Sequence, residues 1–192
     1  LFSIHPLNVP HHRNKFQKYP AADYGEGCLW IANKRANMSQ TPFNIQRAAV
    51  IGAGTMGRGI VMCLANAGVP VQWVDNNPQM LEQALITVAD TYAHNVRQGR
   101  IDQAEADARI ARVTAAADYA AIREVDLVIE AVYENLELKQ KIFRELDGLL
   151  KPEAILASNT SALDIDAIAA ATRRPAQVLG LHFFSPAHIM KL

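Results

Sequence analysis

The segment RAAVIGAGTMGRGI, residues 47–60, places four glycines within eight residues directly after a short apolar run. In a parallel sheet covered by helices, the first strand runs into a tight turn and then a helix, whose free amides and dipole favour an anion. The glycines fit this turn: Gly52 permits the turn, Gly54 lets a pyrophosphate approach the main chain, and Gly57 lets helix and strand pack closely. The glycine run therefore predicts a dinucleotide-binding strand–turn–helix unit.

From residue 47 onward, short apolar runs alternate with amphipathic stretches. The apolar runs have the length and composition of buried strands and cover 48–52, 71–75, 125–132, 154–159 and 177–184. The helical period predicts helices over 55–67, 78–99, 102–112, 136–150 and 164–172. Because parallel neighbours need crossover connections, we predict an α/β fold with a doubly wound, mostly parallel Rossmann-type sheet and helices on both faces.

Residues 1–40 differ from the rest of the chain. Proline, glycine, asparagine and aromatic residues are scattered there without a sustained helical or strand period. We expect an irregular or disordered extension, followed by one dinucleotide-binding domain over 41–192. His5, His11 and His12 lack a second cluster of ligands, so solvated histidines are favoured over a metal site.

The overall composition excludes several functional classes. Lys plus Arg and Asp plus Glu each number 19, so no basic field attracts nucleic acid or an anionic membrane. The longest apolar region, 60–74, is interrupted by Asn66, Gly68 and Pro70, which argues against a membrane span. Cys28 and Cys63 are the only cysteines, too few for a disulfide framework or a zinc site, and we expect a reducing, cytoplasmic location.

Asp75 ends the second predicted strand, eighteen residues after Gly57. An acid at this place can accept hydrogen bonds from the adenosine ribose hydroxyls and repel a 2′-phosphate. The following DNNPQ segment has no Arg or Lys to accept such a phosphate, so NAD is predicted over NADP. The alternative is an ordinary Asp turn after a strand.

The later predicted strands end in or contain polar segments, at the sheet edge where ligands of open α/β sheets bind. They are EAVYEN (130–135), SNTS (158–161) and LHFFSP (181–186). Taking hydride from an alcohol requires a base for the hydroxyl proton, and neutral histidine suits this near pH 7. His182 is the candidate base, and the alternative is a core histidine satisfied by backbone groups.

Four ordered segments, GAGTMGRGI, VIEAVYENLELK, ASNTSALDI and GLHFFSPAHIMKL, together resemble the NAD-binding domain of L-3-hydroxyacyl-CoA dehydrogenases. These enzymes oxidise L-3-hydroxyacyl-CoA to 3-oxoacyl-CoA in fatty-acid β-oxidation. The resemblance implies that His182 is the general base and that Ser161 hydrogen-bonds near the substrate oxygen and the nicotinamide. An N-terminal cap of the following helix is the alternative role for Ser161.

The resemblance also implies which residues bind NAD. Glu134 and Lys139 match positions that contact the cofactor, and Asn159 matches one beside the nicotinamide; the alternative for the first two is a solvated helix start. No metal is implied. The complete expected cofactor-binding set is Gly52, Ala53, Gly54, Thr55, Met56, Gly57, Asp75, Glu134, Lys139 and Asn159.

The chain departs from the family pattern in two ways. The family's histidine pairs with a glutamate twelve residues later, and a helical domain follows that closes over the acyl chain and forms a homodimer; both fall beyond Leu192. Thr91 and Gln98 stand where the family holds CoA through a Ser and a Lys. The resemblance therefore implies a 3-hydroxyacyl-CoA substrate, with weak or no turnover by this chain alone.

Three alternatives remain. A non-catalytic or structural NAD-binding relative, as among lens crystallins, would not need His182 and Ser161. The chain could be the dehydrogenase part of a multifunctional β-oxidation enzyme, although residues 1–46 show no hydratase tail, which favours a stand-alone form. A 3-hydroxyacid dehydrogenase with a lysine base shares the glycine turn but does not fit HFFSP and SNTS.

Overall fold

The computed structural model describes residues 44–185 and Ala187. In this part of the chain, six strands form one parallel sheet in the order β3-β2-β1-β4-β5-β6. The strands are β1 (Ala48–Ile51), β2 (Val71–Val74), β3 (Val113–Ala115), β4 (Leu127–Glu130), β5 (Ile155–Ser158) and β6 (Val178–Gly180). The order reverses between β1 and β4, which is the doubly wound arrangement predicted from the sequence.

Five α-helices connect the strands within the described residues. They are α1 (Thr55–Asn66), α2 (Pro78–Arg97), α3 (Gln103–Ala111), α4 (Leu136–Leu149) and α5 (Ile165–Ala169). Short 3₁₀ turns lie at Tyr119–Ile122 and Pro175–Gln177. The helix α2 begins as the sequence predicted, because Pro78 occupies its first turn and the side chain of Asn77 accepts hydrogen bonds from the next free amides.

Two hydrophobic cores lie on opposite faces of the sheet. Ala48 and Val50 of β1 belong to the core shared with α1 and α2, whereas Ala49 and Ile51 belong to the core shared with α4. All four residues are buried, as alternation across a strand covered on both faces requires. The sheet is therefore covered on both faces beneath the loops at its carboxyl edge.

The structure differs from the sequence prediction mainly at element ends. The strand β3 was missed because it has three residues, two of them exposed, and directly follows a helix. The last strand ends at Gly180, so residues 181–184 leave the sheet as a loop instead of extending the strand. The predicted irregular extension, residues 1–40, lies outside the described residues.

Candidate functional site

The glycine turn after β1 has the backbone geometry that its sequence predicted. Gly52 has φ of +107°, and a Cβ there would lie 2.7 Å from the Ala131 carbonyl oxygen. A Cβ on Gly57 would lie 1.9 Å from the Gly52 carbonyl oxygen, which also accepts a hydrogen bond from Trp73 Nε1 at 2.9 Å. Neither position can carry a side chain without moving the turn.

Gly54 marks open space at the start of α1. A Cβ placed on it would meet no atom within 4 Å. No side chain caps this helix, and its first turn contains no acidic residue. The free amides and the dipole of the 12-residue helix therefore face a space that suits an anion. Ala53, Thr55 and Met56 complete the turn, with Ala53 buried, Thr55 exposed and Met56 half-buried.

Asp75 joins the glycine turn to the end of β2. Its Oδ2 accepts a hydrogen bond from the Ala53 N–H at 2.6 Å, and its Oδ1 accepts one from the Asn77 N–H at 2.8 Å. The Asn77 contact is the ordinary Asp turn that was the alternative, but the Ala53 contact reaches the glycine turn that follows β1. Carboxylate oxygens have further acceptor capacity, so both bonds are compatible with a ribose contact.

Glu134 accepts several hydrogen bonds from the loop that follows β5. Its Oε1 accepts hydrogen bonds from Thr160 Oγ1 at 2.5 Å, from the Ser161 N–H at 2.9 Å and from Ser161 Oγ at 3.4 Å. A further bond at 3.3 Å comes from the Ala162 N–H. The loops after β4 and β5 are thereby joined at the carboxyl edge of the sheet.

The pKa of Glu134 lies below its ordinary value. Burial of the carboxylate acts to raise that pKa, but the hydrogen bonds from Thr160 and Ser161 and the positive charge of Lys139 outweigh it. The ionised form is the one that accepts these bonds, so the loop contacts and the charge of Glu134 support each other.

Ser161 does not cap the helix that follows it. The helix α5 begins at Ile165, and its cap is Asp164, whose side chain accepts a hydrogen bond from the Asp166 N–H. The capping role weighed for Ser161 is therefore wrong. Its hydroxyl is exposed at the edge of the sheet, beside Glu134.

His182 lies in the loop after β6 and is half-buried. Its ring centroid is 5.0 Å from that of Phe184, with the planes tilted by 44°. Within residues 44–185 its ring has no hydrogen-bond partner, so the alternative of a core histidine satisfied by backbone groups is wrong. The neighbouring Phe183 N–H donates to Asn159 Oδ1 at 2.9 Å. Asn159 thus connects the loop that carries Ser161 to the segment that carries His182.

A buried charged cluster lies beneath these loops, and it was not predicted from the sequence. Glu130, the last residue of β4, has no exposed surface and pairs with Lys139 Nζ at 2.7 Å. Its other oxygen accepts a hydrogen bond from Ser158 Oγ at 2.6 Å. Lys139 is also fully buried, so a solvated helix start is wrong for this residue. Periodicity gave a strand end and a helix start but could not show that they share an ion pair.

A groove of about 210 Å³ runs between α1 and α2. Its lining includes Thr55, Arg58, Met62, Thr87, Val88 and Thr91. Arg58 is half-buried and donates to Thr55 Oγ1 at 3.3 Å, and no acidic side chain among the described residues pairs with it. The groove therefore offers one positive charge and several hydroxyls beside an apolar wall. Gln98 lies just past the end of α2 and is not among the lining residues.

Two further classes of site are absent from the described ranges. Residues 44–185 and Ala187 contain no group of three or more His, Cys, Asp or Glu side chains placed to hold a metal ion. In the same part of the chain, no helix has both the length and the apolar character that crossing a bilayer requires.

Comparison with known proteins agrees with this geometry. A family model described as "3-hydroxyacyl-CoA dehydrogenase, NAD binding domain" matches residues 47–192. The peroxisomal bifunctional enzyme of Danio rerio is 46% identical over 158 residues, covering 79% of this chain and 20% of that protein. The chain thus spans about a fifth of the length of the curated relatives it matches.

Two solved structures extend the comparison. The 3-hydroxybutyryl-CoA dehydrogenase of Escherichia coli K12 superposes with a TM-score of 0.76 at 38% identity, covering 77% of this chain and 31% of that one. The (S)-3-hydroxybutyryl-CoA dehydrogenase of Ralstonia eutropha gives 0.75 at 35% identity, covering 78% of this chain and 53% of that one.

Proposed function

The chain belongs to the family of NAD-binding domains of 3-hydroxyacyl-CoA dehydrogenases, and from this premise we propose that it is the cofactor-binding, base-bearing part of an enzyme oxidising L-3-hydroxyacyl-CoA to 3-oxoacyl-CoA. One observation carries the proposal. Ser161 and His182 follow neighbouring strands at the carboxyl edge of the sheet, and Asn159 joins their two loops. A hydroxyl and an imidazole placed there suit alcohol oxidation.

The residues at this edge fit the dinucleotide cofactor. We assign the pyrophosphate to the open space at Gly54 and to the first turn of α1, where Ala53, Thr55 and Met56 contribute main chain. Asp75 would accept hydrogen bonds from the adenosine ribose. Glu134 and Asn159 would lie at the nicotinamide end. When bound, NAD supplies the hydride acceptor for the reaction.

His182 would move the proton in this reaction. Its neutral imidazole accepts the proton of the 3-hydroxyl as C3 loses hydride, and in reverse the imidazolium protonates the ketone oxygen. The exposed hydroxyl of Ser161 would hydrogen-bond to the same substrate oxygen and hold it toward the ring. The half-exposed position of His182, without a hydrogen-bond partner in residues 44–185, supports this role.

The groove between α1 and α2 supports a place for the CoA part of the substrate. Arg58 can meet an anionic group there, and Thr91 can accept a hydrogen bond while its own hydroxyl donates to the Thr87 carbonyl at 2.8 Å. Arg58 could thereby replace the charge that Gln98 lacks. We therefore assign this groove to the CoA part of the substrate.

The parent protein's assembly and location are separate proposals. A homodimer formed through a following helical domain stays a prediction, as does a cytoplasmic location. The curated relatives matched here include proteins named as peroxisomal, bifunctional or multifunctional enzymes, whereas two of the solved structures are named as 3-hydroxybutyryl-CoA dehydrogenases. Imaging of a tagged protein would decide the compartment, and sedimentation of the longer protein would decide the assembly.

NADH formation from L-3-hydroxybutyryl-CoA tests the proposed activity. The assay compares this chain with a chimera in which the remaining C-terminal sequence of the E. coli 3-hydroxybutyryl-CoA dehydrogenase follows residue 192. Turnover by the chimera, with NAD binding by both proteins, is the expected result. If neither protein oxidises short- or long-chain substrates while both bind NAD, the non-catalytic alternative replaces this proposal.

A further inference from the structure

The buried pair of Lys139 and Glu130 lies directly beneath the proposed nicotinamide end of the site. Glu130 ends β4 and Lys139 lies in α4, and neither side chain has exposed surface. The Lys139 ammonium is 2.7 Å from Glu130 Oε1, 3.4 Å from Glu134 Oε2 and 3.5 Å from the Val132 carbonyl oxygen. Glu130 and the Val132 carbonyl accept hydrogen bonds from the ammonium group, and Glu134 forms an ion pair with it.

Glu134 stands between this buried pair and the active-site loop. One of its oxygens faces Lys139, and the other receives the bonds from Thr160, Ser161 and Ala162 described above. The Glu134 side chain is 36% exposed, so it reaches solvent at the edge where Ser161 lies. A continuous path of contacts therefore runs from Lys139 through Glu134 to Ser161.

Stability alone gives a weak reason for this buried charge. Removing two charges from water costs about as much as their attraction returns, and an apolar pair of equal volume is often as stable. What Lys139 adds beyond stability is an electrostatic effect on Glu134, because its one positive charge faces the carboxylates of both Glu130 and Glu134. Glu134 can therefore stay ionised beside the loop that it holds.

We propose that Lys139 is a positioning residue that acts on Ser161 through Glu134 and does not itself touch the cofactor. The charged groups that face Glu134 among the described residues are Lys139 from α4 and, behind it, Glu130 from β4. The β5 loop presents only the hydroxyls and amides of Thr160, Ser161 and Ala162. The inference rests on the proposed function only where NAD affinity is the readout.

The first measurement follows the Ser161 amide by nuclear magnetic resonance in the 192-residue chain without NAD. Because its N–H donates to Glu134, its proton shift should follow the ionisation of that carboxylate. In the double variant Lys139→Met/Glu130→Gln, which removes the pair without leaving an unpaired charge, the midpoint should move to higher pH. In Glu134→Gln this titration should disappear. An unmoved midpoint in the double variant overturns the proposal.

The second measurement is a double-mutant cycle in which calorimetry gives the NAD affinity of each variant. The double variant and Glu134→Gln should each weaken binding about tenfold, and their combination should be within about threefold of Glu134→Gln alone, since Lys139 acts through the same carboxylate. A combined loss of about a hundredfold would show independent action and overturn the proposal. If the wild-type chain does not bind NAD, the proposed function fails, whereas the amide titration still decides this inference.

Lys139→Arg supplies a second variant in case the double variant does not fold. It keeps the positive charge, so it should retain NAD affinity within about threefold and preserve the Ser161 titration. A loss of tenfold or more with a native circular dichroism spectrum would overturn the proposal, since charge is then not what matters at this position.

Discussion

Asn159 Oδ1 accepts a hydrogen bond from the Phe183 N–H at 2.9 Å, so an amide on one loop fixes the main chain beside His182 on the next. The backbone N–H of Asn159 is itself held by the Glu130 carbonyl oxygen at 2.7 Å. The candidate base therefore takes its position from the ends of two other strands. The role of Asn159 in positioning this loop can be tested without a bound cofactor.

Asn159→Ala should release the segment around His182. We expect a loss of about 1 kcal/mol in the free energy of unfolding, the value of one neutral hydrogen bond, and about a tenfold or greater fall in kcat of the chimera. Hydrogen exchange of the Phe183 amide should become faster. Lost turnover with unchanged exchange would instead place Asn159 in direct contact with the reactants.

His182→Ala should separate proton transfer from cofactor binding. Because a general base contributes about a hundredfold or more, kcat of the chimera should fall by at least that factor while NAD affinity stays nearly unchanged. His94→Ala is the matched control, since His94 is exposed in the last turn of α2. Equal turnover in the two variants would remove His182 from the role of base.

Gly54→Ala and Gly57→Ala should impair different properties, the first NAD affinity and the second stability. Gly54 has open space around it, so alanine should leave stability nearly unchanged but weaken NAD about tenfold or more by occupying the proposed pyrophosphate position. At Gly57 the added methyl meets the Gly52 carbonyl, which should cost about 3 kcal/mol or more.

Gly148→Ala is the control for both glycine variants. Gly148 is exposed in α4 with nothing within 4 Å of an added Cβ, so alanine should stabilise the chain by about 0.5–1 kcal/mol. Thermal unfolding and calorimetry measure all three variants. Normal NAD affinity in Gly54→Ala would contradict the pyrophosphate assignment.

Asp75→Ala should weaken NAD and reduce discrimination against NADP, because a carboxylate that pairs with ribose hydroxyls repels a 2′-phosphate. It should also lower stability by about 2 kcal/mol, since hydrogen bonds from two amides to a charged group are lost. Calorimetric titration with each cofactor gives the ratio of affinities. A ratio that does not change on substitution would show that Asp75 only shapes the turn.

Asp147 should make the chain sensitive to acid. Burial acts to raise the pKa of Asp147, but hydrogen bonds from Arg174 and Arg173 hold the pKa below its ordinary value. A lowered folded-state pKa stabilises the protein above the ordinary value of about 3.9, and this stabilisation is lost as pH falls through the folded-state value.

Asp147→Asn should therefore cost about 3 kcal/mol at pH 7 and less at pH 3, because the carboxylate is buried against Arg174 and its stabilising charge is lost progressively below the ordinary pKa. Urea unfolding at both pH values measures the difference. Asp107→Asn, at an exposed position on α3, is the control and should change little at either pH. An equal cost at pH 7 and pH 3 would show that ionisation of Asp147 does not matter.

Much of the fold could be predicted because its signals are local. The glycine turn, the period of α2 and the buried runs of β1 and β4 all follow from neighbouring residues, and the structure has each of them. The short strand β3 could not be predicted, because its three residues are extended only through pairing with β2. The boundary between β6 and the loop at 181–184 could not be predicted either, because both segments are largely apolar.

The candidate site was predicted only in part. Its residues were named from segments at strand ends, but the enclosure of Lys139 between Glu130 and Glu134 was not predicted. Ser158 received no role, although its hydroxyl completes the same cluster. No local pattern encodes these contacts, which join residues 5, 9 and 28 positions apart.

The sequence by itself determined where the chain must turn tightly, which faces must be buried and which polar groups end each strand. Steric limits on glycine and the periods of helix and strand act within a few residues, so they can be read without the fold. Only the tertiary structure decided which strand ends become neighbours. The order β1-β4-β5-β6 places Glu130, Ser158 and the loop of His182 side by side, because sheet pairing joins segments that are distant along the chain.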